Sequence, residues 1–551
     1  MYTFISTNNN VCLRLDKIHT NMTISNLRAI HLFLLLTFQY SFGQEVEVQW
    51  GEELKESKKS TLVDIIGHDE SGFYALKEDL KGRNTLIVEH FNNEIVKTKS
   101  VELELKYNKK KLDFEFIREV GDEFYVFTTL LDNKSKVNTL FAQSIDKKTL
   151  NLRNDIKIIA RNSYEGNSKR KSGDYLFGRS RDSSKVLIYY QINEKKNEFE
   201  QFGFHVFNNS MELLWEREIS MPYAANLFAI EEFEITNQGN IFLLGYHKKD
   251  RSAAKRKGSP NYYYEIISYS NEGTEFDKYS IDVDNKFLTD MTIAINDKNN
   301  IICAGFYSDL GTFSLKGSFF MSINGNTKEK IVENYKEFGI DFITQNMSRK
   351  AEKKAKKKSA KGESVELYNY NLENIILRDD DGAILIGEQY FVDIRTYTIV
   401  DANGNRSTRT DYIYHYNDII VISISPSGEI EWTEKIPKVQ VTSNDHGFYS
   451  SYALTVTDDM LYFIYNDHAE NLSPVADKER KVKNFTRGKN SVVTLARMDT
   501  DGRFVREALF KNKEVDIMTR PKVCEQISKK QMIVFGQRKK SQRFAKVTFN
   551  Q

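Results

Sequence analysis

Short apolar runs, rich in β-branched and aromatic residues, recur along the chain and are separated by polar turns. They begin at eight positions: Gly72, Glu123, Lys185, Asn240, Asn300, Ala383, Met460 and Gln531. Such runs predict β-strands, and the 3.6-residue period of amphipathic helices is nearly absent. The pattern therefore predicts an all-β protein built from eight similar units.

A hairpin turn follows each of the first seven runs. Most of these turns carry residues that tolerate positive φ. They are Asn92-Asn93, Lys147-Lys148, Asn208-Asn209-Ser210, Asn271-Glu272-Gly273, Asn324-Gly325, Pro426-Ser427-Gly428 and Asp501-Gly502. Repeated sheets of about four antiparallel strands predict a β-propeller with eight blades, or seven if one copy is degenerate. A β-solenoid is the second architecture considered and a pair of β-sandwiches the third.

The eighth unit lacks its last strand, because the chain stops soon after the segment FAKVTF. Three W-x-x-x-[IL] runs begin at Trp50, Trp215 and Trp432, and the last two follow hairpin turns. Trp50 has no unit before it. We therefore expect residues 45–54 to supply the missing outer strand, so that an N-terminal strand closes the propeller in its last blade.

The N-terminal region has the features of a secretory signal peptide. Residues 29–38 form an apolar run directly after Arg28, and this run is too short to span a membrane. Signal-peptide cleavage is expected near Gly43. Met22 is the better candidate initiator, since polar residues precede it. We expect residues 1–43 to be removed, residues 45–551 to form one propeller domain without a transmembrane helix, and the protein to be periplasmic.

Charge is concentrated in an insertion at residues 339–363. The formal net charge of the chain is only +2. Every fourth residue from Ile343 to Ala355 is apolar, which predicts a helix with Asp341 as N-cap. Its cationic residues are predicted to contact a partner: Arg349, Lys350, Lys353, Lys354, Lys356, Lys357, Lys358 and Lys361. A solvated helix, an acidic protein and anionic lipid headgroups are the alternatives; nucleic acid is disfavoured, because no aromatic residues interleave the lysines.

A second insertion, residues 390–424, is predicted to be a long hairpin. Tyr412, Tyr414 and Tyr416 alternate along its returning strand and so share one face. Tyrosine is favoured at protein interfaces, which makes these residues partner-binding candidates. The alternative is that they pack on their own blade. Asp401 begins a pattern that resembles a calcium loop, but Tyr412 occupies the position of the expected glutamate, so a plain turn is predicted.

No catalytic or metal-binding motif stands out. The histidines are scattered, and no nucleophile-elbow or phosphate-loop pattern occurs. We therefore expect no cofactor, no metal and a non-catalytic role. A propeller hydrolase of glycans or peptides, with carboxylates gathered at the central channel from several blades, is the alternative.

The signal peptide ending in Ser-Phe-Gly-Gln, the propeller-like repeats and the insertion FITQNMSRKAEKKAKKK resemble exported proteins associated with the type 9 secretion system. Within that group, the plug-type subunits of the translocon are the most similar. The resemblance implies a non-catalytic scaffold subunit of a cell-envelope or outer-membrane complex. It assigns no functional residue.

Overall fold

The structure, a computed structural model, describes the following residues: 46–56, 59–79, 85–164, 174–192, 199–256, 258–281, 283, 286–311, 313–401, 403–472, 482–485 and 490–550. The predicted signal peptide, Met22 and Gly43 lie outside them. The chain divides into a large unit, Val48–Thr548, and a small unit that combines Met1–Glu47 with Phe549–Gln551. Among the described residues no helix is both long and apolar enough to cross a membrane.

The described residues form eight antiparallel sheets of four or five strands, numbered here along the chain. Sheet 1 contains Ser60–Asp69, Gly72–Asp79, Thr85–Asn92 and Lys97–Glu102, and sheet 2 contains Asp113–Val120, Glu123–Asp132, Val137–Ile145 and Lys157–Ser163. Sheet 3 contains Tyr175–Arg179, Lys185–Ile192, Phe199–Asn208 and Leu213–Ala224, and sheet 4 contains Phe228–Ile235, Ile241–Lys248, Tyr262–Ser270 and Glu275–Ile281. Sheet 5 contains Phe287–Ile295, Asn300–Ser308, Gly317–Asn324 and Lys330–Glu337, and sheet 6 contains Tyr370–Leu377, Ala383–Val400, Arg406–Ile424 and Ile430–Ile436, with Gln440–Ser443 added. Sheet 7 contains Ala453–Val456, Met460–His468, Ser491–Asp499 and Phe504–Lys511, and sheet 8 contains Glu525–Ser528, Gln531–Arg538, Ser541–Phe549 and Val46–Trp50, with Leu54–Lys55 added.

Among the described residues, three helices, two 3₁₀ turns and three two-stranded ribbons lie outside these sheets. Three helices, named in chain order, are α1 (Ile340–Thr344), α2 (Arg349–Ser359) and α3 (Asn512–Val515), and 3₁₀ turns cover Ala469–Leu472 and Pro521–Val523. Three two-stranded ribbons pair Lys106–Tyr107 with Lys110–Lys111, Lys255–Arg256 with Ser259–Pro260, and Ser314–Leu315 with Leu367–Tyr368.

The strand prediction is confirmed: each of the eight apolar runs falls in the second strand of a sheet, and each predicted turn connects a third strand to a fourth. These runs are continuously apolar because the second strand of each sheet lies between other strands and buries both faces. Hydrophobic clusters fill the spaces between consecutive sheets. In one of them, Leu62 and Phe73 of sheet 1 pack with Ile533, Phe535 and Phe544 of sheet 8. The fold is a β-propeller.

Sheet 8 joins the two ends of the large unit, as predicted. Gly51 donates its backbone N–H to Phe544 O at 3.0 Å, and Leu54 pairs with Gln542. The Gln542 side chain also reaches sheet 1, where its Nε2 donates to Ser60 O at 2.8 Å. The first strand of sheet 8 contacts that of sheet 1, so the succession of sheets closes on itself.

The tryptophans differ in their orientation. Trp432 in sheet 6 packs on the third turn of sheet 7, where a Cβ added to Gly502 would lie 2.6 Å from the indole. Trp215 in sheet 3 packs in the same way on Gly273 of sheet 4. Trp50 instead stacks edge-on against Phe510, 4.8 Å between centroids, in the preceding sheet. Its strand closes sheet 8 as expected, but Trp50 is not the structural equivalent of the other two.

Replacing Gly502 by alanine should destabilise the protein by about 2 kcal/mol, because the new Cβ clashes with Trp432 and the backbone has a positive φ. Gly502 has a φ of +80°. Gly404→Ala is the control, since its φ is +81° and an added Cβ meets no described atom within 4 Å. Denaturant titration of both variants separates the clash from the backbone strain. Equal destabilisation would show that the tryptophan contact is unimportant.

A polar network is buried between sheets 6 and 7. Lys438 and Glu388 form a fully buried ion pair. Glu388 Oε2 also accepts from Ser451 Oγ at 2.8 Å, and Lys438 Nζ donates to Tyr416 O at 3.2 Å. Gln440 extends the network to sheet 7 by donating to Asn466 O at 2.7 Å. The network joins the linker between the two sheets to the strands on both sides of it.

Candidate partner-binding face

The two insertions leave the propeller on the same side. In sheet 5, Gly317 pairs with both Tyr307 and Glu337, so the fourth strand ends beside the loop that connects the second and third strands. The helices α1 and α2 follow there. In sheet 6 the second and third strands extend beyond the sheet at the equivalent end and form a hairpin, here called the arm, residues 391–415.

Two hydrogen bonds of Asn369, in the segment after the basic insertion, link sheet 5 to the base of the arm. Asn369 donates its backbone N–H to Phe313 O, in the loop between the second and third strands of sheet 5, and Asn369 O accepts from the backbone N–H of Tyr390, both at 2.8 Å. The placement of the insertions on one face is therefore fixed by adjacent strands of neighbouring sheets. This face is the candidate partner-binding face.

The basic insertion forms two helices and not the single predicted helix. Residues 345–348 interrupt it, because Asn346 adopts a positive φ of 66°. Ser348 caps α2, with its Oγ accepting from Ala351 N at 3.4 Å, and Gly339, not Asp341, is the N-cap of α1. The apolar residues that recur every fourth position are thus divided between α1 and α2 instead of lying on one helix.

Most cations of the insertion are exposed to solvent. Arg349, Lys350, Lys353, Lys354, Lys357, Lys358 and Lys361 are exposed. Lys356 is only partly exposed and pairs with Asp341 at 2.7 Å and with Glu352 at 3.0 Å, contacts that raise its pKa. Lys358 lies 4.0 Å from a carboxylate oxygen of Glu363. Ala355 is the one buried residue of α2. The helix therefore presents a concentrated positive surface.

The base of the basic insertion is anchored in the propeller. Ile343 is 3% exposed and lies in the cluster between sheets 5 and 6. Lys435, buried in sheet 6, donates its Nζ to Phe342 O at 3.0 Å. Burial lowers the pKa of Lys435, and the nearby Asp418 carboxylate opposes that shift. These contacts hold α1 in place, so α2 projects from a fixed point.

A cavity of about 840 Å³ lies beside both insertions. Gln345 and Asn346 line it from the link between α1 and α2, and Val441 lines it from the strand that pairs with the base of the arm. Sheet 7 contributes Phe504 and Arg506. The Arg506 guanidinium donates to Pro437 O at 3.0 Å and to Asn471 O at 3.1 Å, so it closes the wall of the cavity.

The three candidate tyrosines share one face, as the alternation predicts, but only Tyr412 is exposed, at 44%. Tyr414 is buried, with its hydroxyl 2.9 Å from His446 Nδ1. Tyr416 is buried under Lys522, whose Nζ donates to its hydroxyl at 2.6 Å and lies 4.1 Å from its ring centroid. As the structure stands, Tyr414 and Tyr416 contact their own propeller. Partner contact by Tyr412 remains a prediction.

Sequence reasoning missed an apolar group at the base of the arm. Phe313 is 73% exposed and has a positive φ of 67°, a strained conformation for a bulky residue. Leu310 and Tyr368 beside it are also exposed. The three residues lie on the candidate face between the two insertions. Their exposure depends on the loop conformation, for which the local sequence carries no signal.

Carboxylates do gather on the first strands, but the best defined of them connect neighbouring sheets. Glu232 of sheet 4 accepts from Thr292 Oγ1 at 2.8 Å and from Ile293 N at 2.9 Å in sheet 5. Asp290 of sheet 5 accepts from Leu372 N in sheet 6 at 2.6 Å. Burial raises the pKa of Asp290 to about 6. These side chains stabilise the ring of first strands.

Glu234, on the first strand of sheet 4, is a further candidate for acid–base chemistry. Burial, together with the Glu232 charge, raises the pKa of Glu234 to about 7. Within the described ranges, no group of three or more histidine, cysteine, aspartate or glutamate residues is arranged to hold a metal ion. At the tip of the arm, Asp401 Oδ1 accepts from the backbone N–H of Asn403 and Asn405, which is a plain turn.

No family model and no curated protein matches the chain. Among solved structures, the WD40 domain of SCAP from fission yeast is similar at 7% identity and a TM-score of 0.39, covering 97% of this chain and 98% of that one. The β-propeller domain of the Trilobed protease from Pyrococcus furiosus is similar at 10% identity and a TM-score of 0.36, covering 81% and 98%. Prolyl oligopeptidase B from Galerina marginata is similar at 9% identity and a TM-score of 0.37, covering 88% of this chain and 55% of that one.

Proposed function

We propose that this protein is a non-catalytic scaffold that binds an acidic partner through the face carrying the two insertions. The observation that carries the proposal is the exposed cationic surface of α2, held beside the arm by a base anchored in sheets 5 and 6. A helix with one buried residue contributes little to the core. Its exposed lysines concentrate positive charge, and an acidic protein surface would be attracted by it.

The compartment and the complex belong to the same proposal. If residues 1–43 direct export, the protein acts in the periplasm, where its partner would be an outer-membrane or envelope protein. The resemblance to type 9 secretion proteins suggests a plug-like subunit of that translocon. Anionic lipid headgroups could supply the same charge complementarity, and the experiment below distinguishes the two sources.

Changing Lys353, Lys354 and Lys357 to glutamate should abolish capture of a stoichiometric outer-membrane partner from detergent-solubilised envelope. The matched control changes Lys109, Lys110 and Lys111 to glutamate, the same charge change on exposed residues in another part of the propeller. Capture by the wild type should also weaken as salt is raised, because exposed charges are screened.

Three results would overturn the proposal. Equal capture by the α2 variant would remove the basic helix from the interface. Binding to vesicles containing phosphatidylglycerol, without any protein partner, would identify lipid as the ligand. Glycan or peptide hydrolysis that is lost in Glu234→Gln, with no partner captured, would favour the hydrolase alternative instead.

A further inference from the structure

The arm extends far beyond the sheet from which it emerges. Its strands remain in continuous register from Tyr390 opposite Tyr416 to Val400 opposite Arg406. The distal part is exposed on both faces, with Ile394 at 63% exposure on one face and Tyr397 at 41% on the other. A two-stranded ribbon is marginally stable by itself in water. An arm of this length, with apolar residues on both faces, gains stability if another strand joins it.

One edge of the arm has unused hydrogen-bonding groups. Tyr390 donates its N–H outward, to Asn369 O, and the direction of the N–H groups alternates along a strand. Residues 392, 394, 396, 398 and 400 therefore direct their N–H and C=O groups away from the third strand. In the part of the chain that the structure describes, no strand pairs with residues 391–400 along this edge.

This edge lacks most of the features that normally keep edge strands from pairing. Residues 391–400 contain no proline, no lysine and no glycine, and the register has no bulge beyond Tyr390. The two charges, Asp393 and Arg395, balance each other. The opposite edge is different: Arg406 and Arg409 flank it, and Asn444 covers its base by bonding to Tyr412.

We propose that the outer edge of the arm pairs antiparallel with the same edge of a second copy of this chain. A two-fold axis at Thr396 uses the whole free edge without reaching Asn369. It places Val392 opposite Val400 of the second copy and Ile394 opposite Thr398 of the second copy. About ten backbone hydrogen bonds would form across this junction. Every outward-bonding residue is then β-branched, the residue class that packs best between strands.

A second copy suits this edge better than an unrelated strand. The charges of Asp393 and Arg395 cancel, so the edge attracts neither an acidic nor a basic segment. Its β-branched side chains would also face β-branched side chains in an antiparallel pair of identical edges. Two-fold pairing is the commonest assembly of identical chains. On the other face, Arg395 would lie beside Tyr397 of the second copy, a cation–π arrangement. The junction is small, which implies a reversible dimer with micromolar affinity.

Light scattering of the purified protein, from about 1 to about 100 µM, tests the proposal. The wild type should double in mass across this range. Thr396→Pro removes an outward N–H at the centre of the junction and should remain monomeric. Thr410→Pro is the matched control, because Thr410 is the register partner of Thr396 and its N–H points to the arginine-bearing edge. It should dimerise like the wild type.

Hydrogen exchange provides the second measurement. The amides of residues 394, 396 and 398 should gain protection on dimerisation, while those of residues 406 and 408 should not. A wild type that stays monomeric throughout the concentration range would overturn the proposal, as would equal loss of the dimer in both proline variants. The α2 variant should still dimerise, so failure of this proposal and failure of the proposed function are distinguishable.

Discussion

Replacing Lys438 by methionine is expected to lower the free energy of unfolding by about 3 to 5 kcal/mol, because the buried Glu388 carboxylate would lose the cation that is hydrogen-bonded to it. Neither side chain is exposed to solvent. The hydrogen bond that Ser451 Oγ donates to Glu388 would remain, but its donor is neutral. Denaturant unfolding monitored by tryptophan fluorescence measures the loss.

The double variant Lys438→Met, Glu388→Met separates a lost attraction from an unpaired charge. Removing both charges should recover most of the stability, since well-packed apolar pairs replace buried ion pairs at little cost. Lys354→Met, on the exposed face of α2, is the control and should change stability by less than about 0.5 kcal/mol. If Lys438→Met behaves like this control, the buried network does not hold sheets 6 and 7 together.

Deleting residues 46–54 should have the other large effect. It removes the Trp50 contact with Phe510 and the Gly51 bonds to Phe544 and Arg543. Loss of a packed tryptophan and of several ladder hydrogen bonds is worth on the order of 5 kcal/mol. The third strand of sheet 8 would also become an open edge, which promotes aggregation.

Thermal unfolding and static light scattering measure the two consequences of this deletion. A deletion of equal length in α2, residues 351–359, serves as the control, because that helix buries only Ala355. The control should melt close to the wild type and stay soluble. An unchanged melting temperature after loss of residues 46–54 would show that the strand is not needed to close the propeller.

The strands could be predicted from sequence because each sheet buries its second strand on both faces. A continuous run of apolar residues therefore marks each second strand, as in the runs that begin at Lys185 and Asn300. The turns were predictable for a similar reason, since residues such as Asn324-Gly325 determine their own backbone conformation. The closing strand followed from an incomplete last repeat, although Trp50 packs on the preceding sheet and not on the following one.

The candidate face was only partly predictable, because burial there depends on distant segments. Alternation correctly placed Tyr414 and Tyr416 on one face, but His446 and Lys522 cover them, and nothing near the tyrosines indicates that. The break between α1 and α2 depends on one residue, Asn346, inside an otherwise continuous helical period. The buried pair of Glu388 and Lys438 is 50 positions apart in the chain, beyond the reach of any local pattern.

Sheet 8 has a consequence for the order in which this protein can acquire its structure. Gly51 and Arg543 are 492 positions apart, yet they are bonded in one sheet. At 5 to 20 residues per second, the ribosome needs about 25 to 100 s to make the chain between them. The strand Val46–Trp50 must therefore wait, without its partner in sheet 8, until the hairpin that contains Arg543 has been made. A binding protein that shields this segment in the interval would protect the nascent chain from aggregation, and truncated chains would never release it.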